Sequence, residues 1–244
     1  MDAHTEPQFA RAALITIDTQ RDTLDGAAFE IPGTSQALPA MRRLTAAFRA
    51  AGRPIVHVVR IYEADGSNAE PARRALLTGA RRALIRDTAG CQLAEELLPD
   101  RQVELDPELL LVGELQPLGP DEVAMYKPRW GAFYRTPLEE HLRRHNITTL
   151  VFAGCNFPNC PRTSIYEASE RDFRIVLAND AISGLYERGA RELENIGVCV
   201  MSADAVVNAL HPGDDEPQPN DRQRDQEDRR VEHVPLRPAH VPDD

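Results

Sequence analysis

The chain has 244 residues, a formal net charge of -11 and a hydrophobic fraction of 42%, which suits one α/β domain with a sizeable core and room for a tail. The acidic balance repels phosphate backbones, and the arginines alternate with acids instead of forming a stripe, so nucleic acid is excluded as a partner and a small molecule is favoured. No apolar run approaches the roughly 18 residues that span a bilayer, the first residues lack the apolar core of a secretory signal, and Cys91, Cys155, Cys160 and Cys199 show no paired spacing, so a cytoplasmic protein with no membrane contact, disulfide framework or structural zinc is expected.

Residues 12 to 18, AALITID, form a short β-prone run ending in Asp18, as a buried strand does when it delivers a polar group to a sheet edge. From Ser35 to Ala51, Leu38, Met41, Leu44, Ala47 and Phe48 recur at helical spacing before Gly52 stops the helix. PIVHVVR at 54 to 60 is a second buried strand and completes a βαβ unit, so the sheet is expected to be parallel. The stretch from Ile61 to Leu118 reads as an irregular insertion near a substrate mouth, with a helical patch around Ala69 to Leu77.

DEVAMY at 121 to 126 is taken as the third strand. It runs into KPRWGAF, and TPLEEHLRRHN follows as a helix capped by Thr136. The strongest buried-strand signal is TTLVFAG at 148 to 154, followed by a helix from Cys160 to Asp172, a strand at 173 to 180, a helix around Arg188 to Asn195 and a short strand at 198 to 201. This alternation predicts a three-layer α/β/α fold with a doubly wound, mostly parallel sheet. Beyond Pro212, proline and charge dominate, which predicts a disordered tail in which His233 and His240 are solvated.

Reactive groups of open α/β sheets collect at the carboxyl ends of the strands, where Asp18, Lys127 and Cys160 fall, the last two after the third and fourth predicted strands. A carboxylate can take a thiol proton, and an ammonium or a helix N-terminus can stabilise the thiolate. Singly, an Asp at a strand end is often a cap and a Lys beside a Pro is usually surface charge.

Together, IDTQ at 17 to 20, YKPRWGAF at 126 to 133, AGCNFPNCPRTSIYEASERDF at 153 to 173 and DAIS at 180 to 183 resemble the isochorismatase-like cysteine hydrolases, from about Ala12 to Leu210. The resemblance implies a Rossmann-like topology, a catalytic triad of Asp18, Lys127 and Cys160, and a non-proline cis peptide between Cys155 and Asn156. It also implies an oxyanion hole formed by the N–H groups of Asn156 and Cys160, with Cys155 a packed neighbour. Gln20, Arg60, Arg129, Trp130, Phe133 and Phe157 are the expected substrate-binding residues. Domain bounds follow: a flexible segment over 1–11, the hydrolase domain over 12–211 and the tail over 212–244.

Departures narrow what can be carried over. Many relatives have Thr-Asp where this chain has Phe157-Pro158, and Val where it has Pro161. Nicotinamidases carry a D-x-H metal motif after the second strand, whereas this region holds Arg60 and Tyr62 with no His, so no metal and no other cofactor is expected. Relatives are commonly dimers or tetramers, which implies a homo-oligomer. Within the family, GCNFPNCPRTSIYEASERDF is most similar to a subgroup associated with streptothricin hydrolases. The expected activity is hydrolysis of an amide or lactam carbon–nitrogen bond through a thioester. The alternatives are vinyl ether hydrolysis, as in isochorismatases, and a non-catalytic binding protein of the same fold.

Overall fold

The computed structural model describes residues 2–78 and 82–210. The tail expected over 212–244, with His233 and His240, lies outside them. A 3-10 turn at Phe9–Arg11 leads into β1 (Ala12–Ile17), α1 (Thr34–Ala50), β2 (Ile55–Val59), α2 (Pro71–Thr78), α3 (Pro107–Leu111), β3 (Gln116–Gly119) and β4 (Glu122–Tyr126). Then come α4 (Leu138–Arg144), β5 (Thr149–Gly154), α5 (Cys160–Ser169), β6 (Arg174–Ile182), α6 (Glu187–Glu194), β7 (Cys199–Met201) and α7 (Ala203–Ala209).

The seven strands form one sheet in the order β3-β4-β2-β1-β5-β6-β7. Every neighbouring pair is parallel except β3 and β4. The chain leaves β1 for β2 and β4 on one side and later returns to β5, β6 and β7 on the other, so the switch point, where such sheets hold their ligands, lies between β1 and β5. At the edges, β3 contains Pro117 and a bulge between Pro117 and Gly119, and β7 has three residues.

Strand alternation supplies both faces of the core. Ala13, Ile15 and Ile17 of β1 pack with Leu138 and Leu142 of α4, Ile165 and Ala168 of α5 and Leu193 of α6. On the opposite face, Ala12 and Leu14 meet Leu38, Met41, Leu44 and Phe48 of α1 and Val206 of α7. Full burial of each Leu, Ile or Phe removes apolar surface worth about 1.5–3 kcal/mol, which holds the three layers together.

A buried polar network crosses the sheet under α1. Thr16 Oγ1 lies 2.7 Å from His57 Nδ1, and the Glu122 carboxylate lies 2.7 Å from both His57 Nε2 and Arg49 Nε. Burial alone would raise the Glu122 pKa, but the hydrogen bonds from Arg49 and His57 outweigh it and hold the group at about 2.

The structure corrects several expected boundaries. Lys127 follows the fourth strand and Cys160 the fifth, because β3 precedes them; its Pro and Gly read as loop. Thr136 does not cap α4: the capping position is Pro137, and the Thr136 hydroxyl bonds to the Ala132 carbonyl. Ser202, unrecognised in the sequence, caps α7 by accepting from Ala205 N at 3.2 Å.

Candidate active site

Strand β2 positions two of the three candidates. Its Val58 carbonyl accepts from Asp18 N at 2.9 Å, and its Val59 carbonyl accepts from Lys127 N at 3.0 Å. Continuation of the parallel ladder past the ends of β1 and β4 thus hangs both residues on the same stretch of backbone. Asp18 adopts φ +50°, a left-handed conformation that turns the chain out of the sheet. The third candidate begins α5, and its loop is anchored where Cys155 N donates to Ile17 O at 2.8 Å and Phe157 N to Ser183 O at 2.8 Å. Gly154 is required in this crossing: its φ is +119° and an added Cβ would lie 2.2 Å from Ile17 O.

The three side chains converge. Lys127 Nζ lies 2.8 Å from Asp18 Oδ2 and 3.2 Å from Cys160 Sγ, and it also reaches Arg129 O at 3.4 Å. The lysine is fully buried, and Asp18 and Cys160 are 7% and 6% exposed. Asp18 Oδ1 has no hydrogen-bond partner among the described residues. Burial and the adjacent Asp18 carboxylate push the Cys160 pKa up to about 12, only partly offset by Lys127 and Arg60, so the resting group is the thiol and not a preformed thiolate.

The bond between Cys155 and Asn156 is cis, where the resemblance places it. Among the described residues, neither Asn156 N nor Cys160 N donates a backbone hydrogen bond, and both residues line the cavity that holds Asp18. Cys155 is fully buried, and its Sγ donates to Asp18 O at 3.0 Å. On the other side, Ser164 Oγ accepts from Ala132 N at 3.0 Å and Glu167 Oε2 from Phe133 N at 2.9 Å, which pins the loop after Lys127 to α5.

Of the expected substrate contacts, Arg60 and Trp130 line the cavity. Gln20 does not: its amide donates to Arg60 O at 2.9 Å and accepts from Arg60 N at 2.9 Å, so it is used up in joining the ends of β1 and β2. Phe133 packs against Phe173 with ring centroids 5.9 Å apart, and Phe157 against Tyr186 at 5.5 Å; both sit in the core. Arg129 is exposed and caps the carbonyls of Pro128 and Asn68. These four placements share a cause: backbone groups satisfy Gln20 and Arg129, and the core takes up Phe133 and Phe157.

The insertion and the loop before α1 supply walls that the motifs did not indicate: Phe29, Ile31, Tyr62, Glu70, Arg73 and Leu84. Arg60 Nη1 donates to Lys127 O at 3.0 Å, and Arg60 Nη2 pairs with Glu70 Oε1 at 3.2 Å. Tyr62 Oη donates toward the same carboxylate at 3.3 Å. Where nicotinamidase-type relatives are expected to place metal ligands, this chain holds a guanidinium already paired to its carboxylate, a donor set unsuited to a divalent cation.

A sequence model of the Isochorismatase domain matches residues 12–205. The chain belongs to the isochorismatase family. The match spans every motif segment, from IDTQ at 17 to 20 to DAIS at 180 to 183. A solved isochorismatase family protein from Desulfovibrio vulgaris subsp. vulgaris str. Hildenborough aligns with a TM-score of 0.67 and 30% identity, over 82% of this chain and 98% of that one. An Arabidopsis thaliana protein named "Probable inactive nicotinamidase" is 25% identical over 198 residues, covering 78% of this chain and 92% of its own. A ureidoacrylate amidohydrolase from Methylobacterium radiotolerans is 29% identical over 190 residues, covering 70% of this chain and 66% of its own.

Proposed function

We propose that this isochorismatase-family protein hydrolyses an amide-type carbon–nitrogen bond of a small molecule, with Cys160 as nucleophile. The observation that carries the reading is the placement of Lys127 Nζ between Asp18 Oδ2 at 2.8 Å and Cys160 Sγ at 3.2 Å, with Asp18 Oδ1 left free. Asp18 accepts the thiol proton as Sγ attacks the carbonyl carbon, and Lys127 stabilises the sulfur as it gains charge. The N–H groups of Asn156 and Cys160 receive the developing oxyanion. Collapse breaks the carbon–nitrogen bond, the proton on Asp18 passes to the leaving nitrogen, and an acyl-Cys160 thioester remains. Asp18 then takes a proton from water, the water oxygen attacks the thioester, and the thiol is regenerated.

The raised Cys160 pKa fits this order of events, because proton transfer and attack occur together once a carbonyl is in place. The ureidoacrylate amidohydrolase among the relatives supports carbon–nitrogen hydrolysis as the reaction class. The test is an ammonia- and amine-release screen over small amides, lactams and ureido compounds, including a streptothricin-type lactam, beside Cys160→Ala. Turnover is expected to survive a chelator and to fall by about a thousandfold or more in Cys160→Ala. Turnover that depends on a metal and persists in Cys160→Ala would overturn the mechanism. Loss of none and gain of none, with no compound cleaved, would instead place the chain beside the relative named inactive.

A further inference from the structure

We propose that the substrate carries one negative charge, a carboxylate at the end of the molecule away from the scissile carbonyl, and that Arg73 receives it. The inference rests on the amide-hydrolase reading of the same cavity and adds the class of substrate. Arg73, in the first turn of α2, lies at the cavity wall with its guanidinium carbon 4.6 Å from the Phe29 ring centroid and 5.1 Å from that of Trp130. Two aromatic rings hold the guanidinium without consuming any of its five N–H donors.

Nothing else among the described residues consumes them. The nearest carboxylate oxygen, Glu70 Oε1, stands 4.0 Å from Arg73 Nε, beyond hydrogen-bond reach. Glu70 is already committed, to Arg60 Nη2 at 3.2 Å and to the Tyr62 hydroxyl at 3.3 Å. Asp18 and Lys127 cancel, as do Glu70 and Arg60, which leaves the Arg73 charge in a cavity of a chain whose net charge is -11.

A guanidinium held between two rings with its donors free matches a carboxylate, which takes two parallel N–H bonds. Ile31 and Leu84 supply apolar wall, suited to a short hydrocarbon spacer between the carboxylate and the amide. A polycationic antibiotic would bring further positive charge against the one uncancelled cation of the wall, Arg73, so the streptothricin-type compound is a poor fit to this cavity.

Trp130, the chain's single tryptophan, reports binding beside Arg73 by its fluorescence. Cys160→Ala protein is titrated with three amides of equal chain length: succinamate, butyramide and γ-aminobutyramide. Succinamate is expected to bind at least about tenfold more tightly than butyramide, as a charge-assisted bond in a partly desolvated site allows, with γ-aminobutyramide weakest. Arg73→Gln should erase that order, and Arg73→Lys should keep it, which separates loss of charge from loss of fold. Equal binding of succinamate and butyramide, or a preference that survives Arg73→Gln, overturns the proposal. Ammonia release by the Cys160 protein is followed in parallel. Anion preference without turnover of any amide defeats the hydrolase reading alone, and turnover without anion preference defeats the role of Arg73 alone.

Discussion

Replacing Lys127 with Met removes a fully buried ammonium that sits 2.8 Å from Asp18 Oδ2. At that separation and an effective dielectric constant near 20, the attraction is about 6 kcal/mol, most of it offset by the desolvation of both ions. The loss on removing one partner is nevertheless large. Among the described residues Asp18 Oδ1 has no hydrogen-bond partner, so the variant would hold a buried carboxylate without its ion partner, at a cost of about 3–5 kcal/mol. For an m-value of about 2 kcal/mol/M, the urea midpoint should fall by roughly 1.5–2.5 M. Asp18→Asn in the same background removes the orphaned charge, so the double variant should be more stable than Lys127→Met alone. Urea unfolding followed by far-UV circular dichroism at neutral pH measures the whole cycle. A Lys127→Met protein within about 1 kcal/mol of the parent, or a double variant less stable than both singles, would refute the account of a mutually dependent buried pair.

Three further outcomes follow from neighbouring features. Because the Asp18 carboxylate helps to raise the Cys160 pKa, Asp18→Asn should lower it even as turnover is lost; the pH profile of iodoacetamide labelling at Cys160 reads the shift, and movement upward would contradict the electrostatics. Glu122 titrates at about 2 in the fold against an ordinary 4.5, so its contribution is fully present above about pH 4.5 and is lost as pH falls through about 2, an integrated effect on the order of 3 kcal/mol. Urea midpoints of Glu122→Gln should accordingly vary less with pH over that window than those of the parent. Gly154→Ala places a Cβ 2.2 Å from Ile17 O at a φ of +119°, and a thermal melt should show a loss of at least about 2 kcal/mol; an unchanged melt would mean that the β5 end can move.

Periodicity made the sheet legible where strands are buried on both sides. β1, β2, β5 and β6 are apolar runs with clear ends, and their alternation with helices fixes the doubly wound class. β3 was hidden because an antiparallel edge strand containing Pro117 and Gly119 has the composition of a loop. Asp18, Lys127 and Cys160 were legible through motifs tied to strand ends. Glu70 and Arg73 were not, since an insertion's side chains reach a cavity through tertiary packing that has no period to read. Gln20 shows the converse: it is part of a motif, yet its amide closes on the backbone of Arg60, and sequence spacing carries no information on where an amide points.

The two margins of the sheet bear on how copies of this chain can associate. β3 lacks an N–H at Pro117 and is broken by a bulge, and β7 offers three residues, so neither presents the long, regular row of donors and acceptors that another strand could zip onto. Joining two copies into one continuous sheet is therefore disfavoured at both ends. The same blunting protects against runaway fibrillar stacking through the sheet margins.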